Sequence, residues 1–222
     1  MLENIDAVIF DIDGTLIDSM HVWTDIDDRF LEKYHLTEPE GFHEGMEGKS
    51  FSETADYFLE LFPSLPHSRE DLEAEWNQMA FEIYTKEIRL KTGAYDFIVD
   101  LYKKGIKIGV ATSNNRALAE GTLKNNDIWD YIGSMWTADE AKAGKPSPDV
   151  YLKVAESLGV LPERCLVFED IPNGILAGKN AGMKVCAVDD WFSKNYEVRK
   201  RELADYYIYS YKDIKNKTYE VL

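Results

Sequence analysis

Six short apolar runs, separated by stretches of helical periodicity, constrain this sequence more than any other feature. They are Ala7–Phe10, Ile106–Ala111, Tyr131–Trp136, Cys165–Phe168, Lys184–Val188 and Tyr206–Ile208. Runs this short and this apolar read as strands covered on both faces, as in a parallel sheet. Between them, residues 94–104 carry Ala94, Phe97, Ile98 and Leu101 on one face and stop at Gly105. Ser147 and Pro148 read as N-cap and first residue of another helix. Val150, Tyr151, Val154, Ala155 and Leu158 form its stripe, and Gly159 closes it. Strands alternating with helices predict an α/β fold built on a doubly wound parallel sheet.

One segment breaks the alternation. Residues 18–88 hold no convincing strand. Trp23, Ile26, Phe30 and Tyr34 share one helical face. Ser50 with Glu53, and Ser68 with Asp71, have capping-box spacing and open two further helices, parted by Phe62, Pro63 and Pro66. The expected organisation is a core of residues 1–17 and 89–222 with an inserted all-helical subdomain at 18–88. The aromatic stripes of the insert read as its packed interior.

The chain has 222 residues, of which 45% are hydrophobic, enough for a sizeable core. Its 41 acidic and 25 basic residues give a net charge of −16. That balance argues against nucleic-acid and anionic-membrane partners. An anionic ligand must therefore be held by local cations and a metal. No stretch reaches the roughly 18 apolar residues that span a bilayer. The N-terminus lacks the basic start of a signal peptide, so a cytoplasmic location is expected. Cys165 and Cys186 sit in apolar runs and read as packed thiols in adjacent strands, not a disulfide. A monomer is expected.

The chemistry-bearing residues fall at the ends of these runs. The first run ends in Asp11-Ile12-Asp13-Gly14-Thr15. Two carboxylates at a strand end repel each other and are partly desolvated, a cost that a hard cation such as Mg²⁺ offsets. A carboxylate at such a strand end can also serve as a nucleophile, and Asp11 is the candidate. Asp13, two residues on, is a candidate general acid and base. Gly14 lets the backbone turn sharply. The second run ends in Thr112-Ser113-Asn114-Asn115, where a hydroxyl and free amides before a helix make an anion cradle. Lys145-Pro146 follows Gly144 and precedes a helix start, so Lys145, preferred over Lys142, can neutralise phosphate. The fourth run ends in Glu169-Asp170. Strand C-termini of a parallel sheet share one edge, so these groups should converge in one crevice.

Asp-x-Asp-Gly-Thr, Thr-Ser-Asn, Lys-Pro and Glu-Asp, in that order and each at an element boundary, resemble the haloacid dehalogenase superfamily across the whole chain. The helical insert is similar to the cap of its β-phosphoglucomutase-like subfamily. The resemblance implies a Rossmann-like core and a phosphatase, with Asp11 as nucleophile and Asp13 as acid/base. It implies Gly14, Thr112, Ser113 and Lys145 at the phosphate. It also implies Mg²⁺ held by Asp11, Asp170 and the Asp13 carbonyl, with Glu169 nearby or acting through water. The sequence departs from the pattern at Ile171, where the family often has Ser, and at Thr92, where it often has Pro.

The expected function is a Mg²⁺-dependent phosphatase of a small phosphorylated metabolite, a sugar or polyol phosphate, working through an aspartyl-phosphate. The alternative is a β-phosphoglucomutase-type mutase. In those mutases a cap His follows the first motif, and a Lys and an Arg near the second cap helix hold the distal phosphate. The matching positions here are Trp23, Glu47 and Phe51, with Lys49 the nearby cation. This favours hydrolysis.

Overall fold

A computed structural model describes residues 1–222. Seven strands form one sheet: β1 (Ala7–Phe10), β2 (Lys107–Thr112), β3 (Ser134–Thr137), β4 (Cys165–Glu169), β5 (Lys184–Val188), β6 (Tyr206–Ile208) and β7 (Glu220–Val221). Their spatial order is β3-β2-β1-β4-β5-β6-β7. The first six pair in parallel, and β7 closes one edge antiparallel to β6. The helices are α1 (Met20–Lys33), α2 (Phe42–Met46), α3 (Phe51–Leu61), α4 (Arg69–Lys86), α5 (Ala94–Lys103), α6 (Arg116–Asn125), α7 (Ala138–Ala141), α8 (Asp149–Leu158), α9 (Pro172–Asn180), α10 (Glu197–Leu203) and α11 (Lys212–Asn216).

The continuous apolar character of the strands follows from burial on both faces. Val8 and Phe10 of β1, with Phe168 of β4, face Phe97 of α5 and Tyr211. Ala7 and Ile9 face the opposite layer, with Val150 and Val154 of α8 and Ile175 of α9. Cys165 and Cys186 are free buried thiols on neighbouring strands.

Helices α1–α4 follow β1 with no strand among them. Phe30, Phe42, Phe58 and Trp76 pack edge-to-face at their centre. Both expected capping boxes form, Ser50 with Glu53 and Ser68 with Asp71. The chain leaves and re-enters the sheet side by side. Ile17 bridges Leu90, and the Lys91 amide donates to Leu16 at 2.9 Å.

Two local expectations are corrected. The third strand is Ser134–Thr137, not Tyr131–Trp136. Gly133 donates to Ile108 at the sheet edge, and Trp129–Tyr131 turn as a 3₁₀ helix. The Ser147 hydroxyl does not cap α8: it bonds the Asp149 carboxylate, and Pro148 takes the N-cap position.

Candidate active site

The sheet order reverses at β1, with β2 on one side and β4 on the other, so the crevice of a doubly wound fold lies at their C-terminal ends. The register sets Phe10 beside Phe168, which brings the two acidic strand ends abreast. One oxygen each of Asp11, Glu169 and Asp170 lies within 4.8 Å of the others, and all three residues are buried. Lys145 reaches them from the loop before α8. Its Nζ donates to Asp11 Oδ1 at 2.6 Å and to Glu169 Oε1 at 2.5 Å. The Tyr151 hydroxyl of α8 also donates to Glu169 Oε1, at 2.7 Å, and the Asp170 amide donates to Glu169 Oε2 at 3.0 Å. Glu169 is thus fully engaged. A Cβ on Gly174 of α9 would overlap its carboxylate, so the close approach of that helix requires glycine.

Asp170 differs. Its Oδ1 accepts from the Thr15 hydroxyl at 2.9 Å, but its buried Oδ2 has no partner. Gly14 sits against that oxygen with φ +73°, and a Cβ there would fill the space. Burial pushes the Asp11 carboxyl up to about 7. Lys145 opposes this shift, and Glu169 and Asp13 add to it. Burial, then repulsion from Glu169 and Asp11, drives Asp170 well above the carboxylate range. Burial alone would lower Lys145, but Asp11 and Glu169 outweigh it and hold the ammonium above its ordinary value. An orphaned hard oxygen, crowded carboxylates and strong desolvation together fit a divalent cation.

The Asp13 carboxylate is not part of this group. Oδ1 accepts from the hydroxyls of Ser19, at 2.6 Å, and Tyr84, and Oδ2 accepts from Asn114 Nδ2 at 3.0 Å. Three donors from α4 and two loops fix its orientation beside the cavity. Thr112 is buried and its Oγ1 accepts from the Asn114 amide at 3.0 Å. Ser113 and Asn114 line the cavity, whereas Thr112 does not. Lys142 caps α7 in a left-handed conformation. Sequence reasoning missed Tyr84 and the hydroxyl of Tyr151. Tyr84 continues the Trp76–Ala80 spacing of α4, so the stripe contains it.

A cavity of about 420 Å³ opens above these acids. Its floor is Asp11, Asp13, Ser113, Asn114, Lys145 and Asp170. Its walls come from α1–α4, with Trp23, Phe51 and Trp76, and from the loop after β5, with Phe192 and Tyr196.

A doubly wound sheet with paired acids at its switch point defines a class, and the family model for haloacid dehalogenase-like hydrolases matches residues 8–188. The chain belongs to this family. It is 30% identical over 179 residues to the phosphorylated carbohydrates phosphatase of Thermotoga maritima, covering 81% of this chain and 82% of that protein. It is 32% identical over 221 residues to (DL)-glycerol-3-phosphatase 2 of Arabidopsis thaliana, covering 96% and 90%. It superposes on the crystal structure of β-phosphoglucomutase from Clostridium difficile with a TM-score of 0.80 and 25% identity, covering 96% and 95%. Within the family the chain is a phosphoric monoester hydrolase. No helix is long and apolar enough to cross a membrane.

Proposed function

We propose that the chain is a Mg²⁺-dependent phosphatase of a small phosphorylated carbohydrate or polyol, acting through an aspartyl-phosphate on Asp11. The observation that carries this reading is the convergence of Asp11, Lys145 and Asp170 under a cavity of small-metabolite size. Asp11 attacks phosphorus, the bond to the leaving oxygen breaks, and Asp13 gives that oxygen a proton. Water then attacks the aspartyl-phosphate, Asp13 takes the proton from water, and the Asp11 carboxylate departs. The Asp13 carboxylate is held for this by Ser19, Tyr84 and Asn114. Lys145 orients Asp11, and the Ser113 amide and Asn114 face the phosphoryl group; Thr112 supports that turn through its hydroxyl. Mg²⁺ would be held by Asp11, Asp170 and the Asp13 carbonyl, with Glu169 behind them. When bound, it supplies positive charge against the phosphoryl oxygens.

Residues 18–88 serve as a cap that closes over the crevice and excludes water. Cross-contacts support this role: Asn173 Nδ2 donates to the Glu47 carbonyl at 3.1 Å, and the Gly144 amide approaches Glu53 Oε1 at 3.4 Å. Hydrolysis is favoured over mutase chemistry because the cap side of the cavity carries Asp27, Glu44 and Glu47 against only His43 and Lys49. Those carboxylates repel a second phosphate. The test is phosphate release from p-nitrophenyl phosphate and a panel of phosphometabolites. Activity should vanish with chelator and return with Mg²⁺, and Ca²⁺ should support it poorly. Full activity in excess chelator refutes the metal assignment.

A further inference from the structure

One cavity wall carries a carboxylate that the phosphoryl chemistry does not use. Met20, Trp23, Thr24 and Asp27 of α1 all line the cavity, a stripe along one helical face. Met20 packs against Gly14 and so marks the reacting end. Asp27 stands seven residues further on, about 10 Å along the helix axis. Its side chain is only 14% exposed, and the His43 ring, whose Nδ1 lies 3.9 Å from Oδ2, stands beyond hydrogen-bond reach. No hydrogen-bond donor from the protein compensates its burial, and Asp28 and Glu38 add repulsion. The same cavity is walled by Trp76, itself 3% exposed, whose buried Nε1–H has no acceptor.

The rest of the cavity offers little to offset a charge on Asp27. Lys145 is committed to Asp11 and Glu169. The Lys49 ammonium lies over the Tyr57 ring, 5.5 Å from its centre, and Tyr57 is not a cavity residue. Glu44 and Glu47 add two further acids to the walls. The rings of Trp23 and Phe51, 6.0 Å apart, form an aromatic surface beside them. A hydroxyl would give Asp27 one donor but would not offset the cost of ionising it. An ammonium would donate a charge-assisted bond, relieve the repulsion among the acids and gain from the aromatic faces.

We propose that Asp27 is the specificity-determining residue at the far end of this cavity, and that it takes a protonated primary amine carried by the carbohydrate part of the substrate. The inference rests on the phosphatase reading above. A partly buried carboxyl group that no protein donor reaches is costly to keep in a folded chain, and its place facing the cavity gives that cost a purpose.

The test compares two substrates that differ in a single group, glucosamine 6-phosphate and glucose 6-phosphate, at neutral pH with Mg²⁺. The ratio of their kcat/KM values should be about tenfold in favour of the amine, carried mainly by KM. In Asp27→Asn the ratio should fall to about one, and in Asp27→Glu it should be partly restored. A wild-type ratio of one or less, or a ratio unchanged in Asp27→Asn, overturns the proposal. p-Nitrophenyl phosphate, which has no amine, is measured alongside with the wild-type enzyme. Its hydrolysis without an amine preference refutes only the role of Asp27; failure to hydrolyse any of the three refutes the phosphatase reading itself.

Discussion

Replacing Asp27 by asparagine should stabilise the protein, and should do so only above mildly acidic pH. Burial, followed by the nearby Asp28 and Glu38 carboxylates, pushes the Asp27 carboxyl from 3.8 up to about 7 in the folded state. The folded chain therefore keeps this proton up to about pH 7, whereas the unfolded chain releases it near 3.8. Folding takes up a proton in that window, so the group's contribution to stability falls as pH rises through it. At roughly 1.4 kcal/mol per pH unit the ceiling is about 4 kcal/mol, and residual contact with water brings the expected effect nearer 2–3 kcal/mol. Asparagine keeps the shape and removes the titration. Matched thermal melts of the two proteins across pH should show no difference near pH 4, a growing advantage for Asp27→Asn between, and a plateau above about pH 7. The plateau should amount to roughly 4–12 °C for a chain of this size. Taking the difference between the two proteins cancels the titration of Asp11 and Asp170. A pH-independent difference, or a variant less stable than wild type at neutral pH, would refute the reasoning.

Asp13→Asn should slow alkyl phosphates far more than aryl phosphates in phosphoryl transfer to the enzyme, because an aryl oxygen leaves with little help from an acid. Stopped-flow comparison of the two leaving groups checks this, and equal slowing would remove Asp13 from the acid role. Lys145→Met should abolish turnover and cost about 3–5 kcal/mol in urea unfolding, because it leaves Asp11 and Glu169 buried without their cation. Supplied with β-glucose 1-phosphate and catalytic glucose 1,6-bisphosphate, the enzyme should release free phosphate. Rapid glucose 6-phosphate formation with little phosphate would restore the mutase alternative.

The sequence was most readable where both faces of an element are covered. Strands β1, β5 and β6 lie where their apolar runs place them, since nothing polar interrupts a doubly buried strand. The acids at 11, 169 and 170 were legible because charge at the end of such a run is costly without a purpose. Two residues of β7 leave no periodicity to read, and its Val221 is 73% exposed. The tyrosines were half legible. Tyr84 and Tyr151 sit in helical stripes that report packing, but a stripe does not show where a phenolic hydroxyl finds its acceptor. Their contacts with Asp13 and Glu169 depend on α4 and α8 meeting strand ends far away in sequence. Asp27 carries no sequence signal at all. It is one acid among Asp25 and Asp28 on α1, and only the helix phase turns it toward the cavity.

The covalent role of Asp11 is tested most directly in Asp13→Asn, where water attack lacks its base and the phosphorylated enzyme should linger. The variant is mixed with substrate and Mg²⁺, quenched in acid and digested, and the peptide containing Asp11 is weighed and fragmented. The account predicts the mass of one phosphoryl group on that peptide, located at Asp11 and lost on longer incubation. Release of the leaving group with Asp11 unmodified, or a phosphoryl group on any other residue, would contradict it.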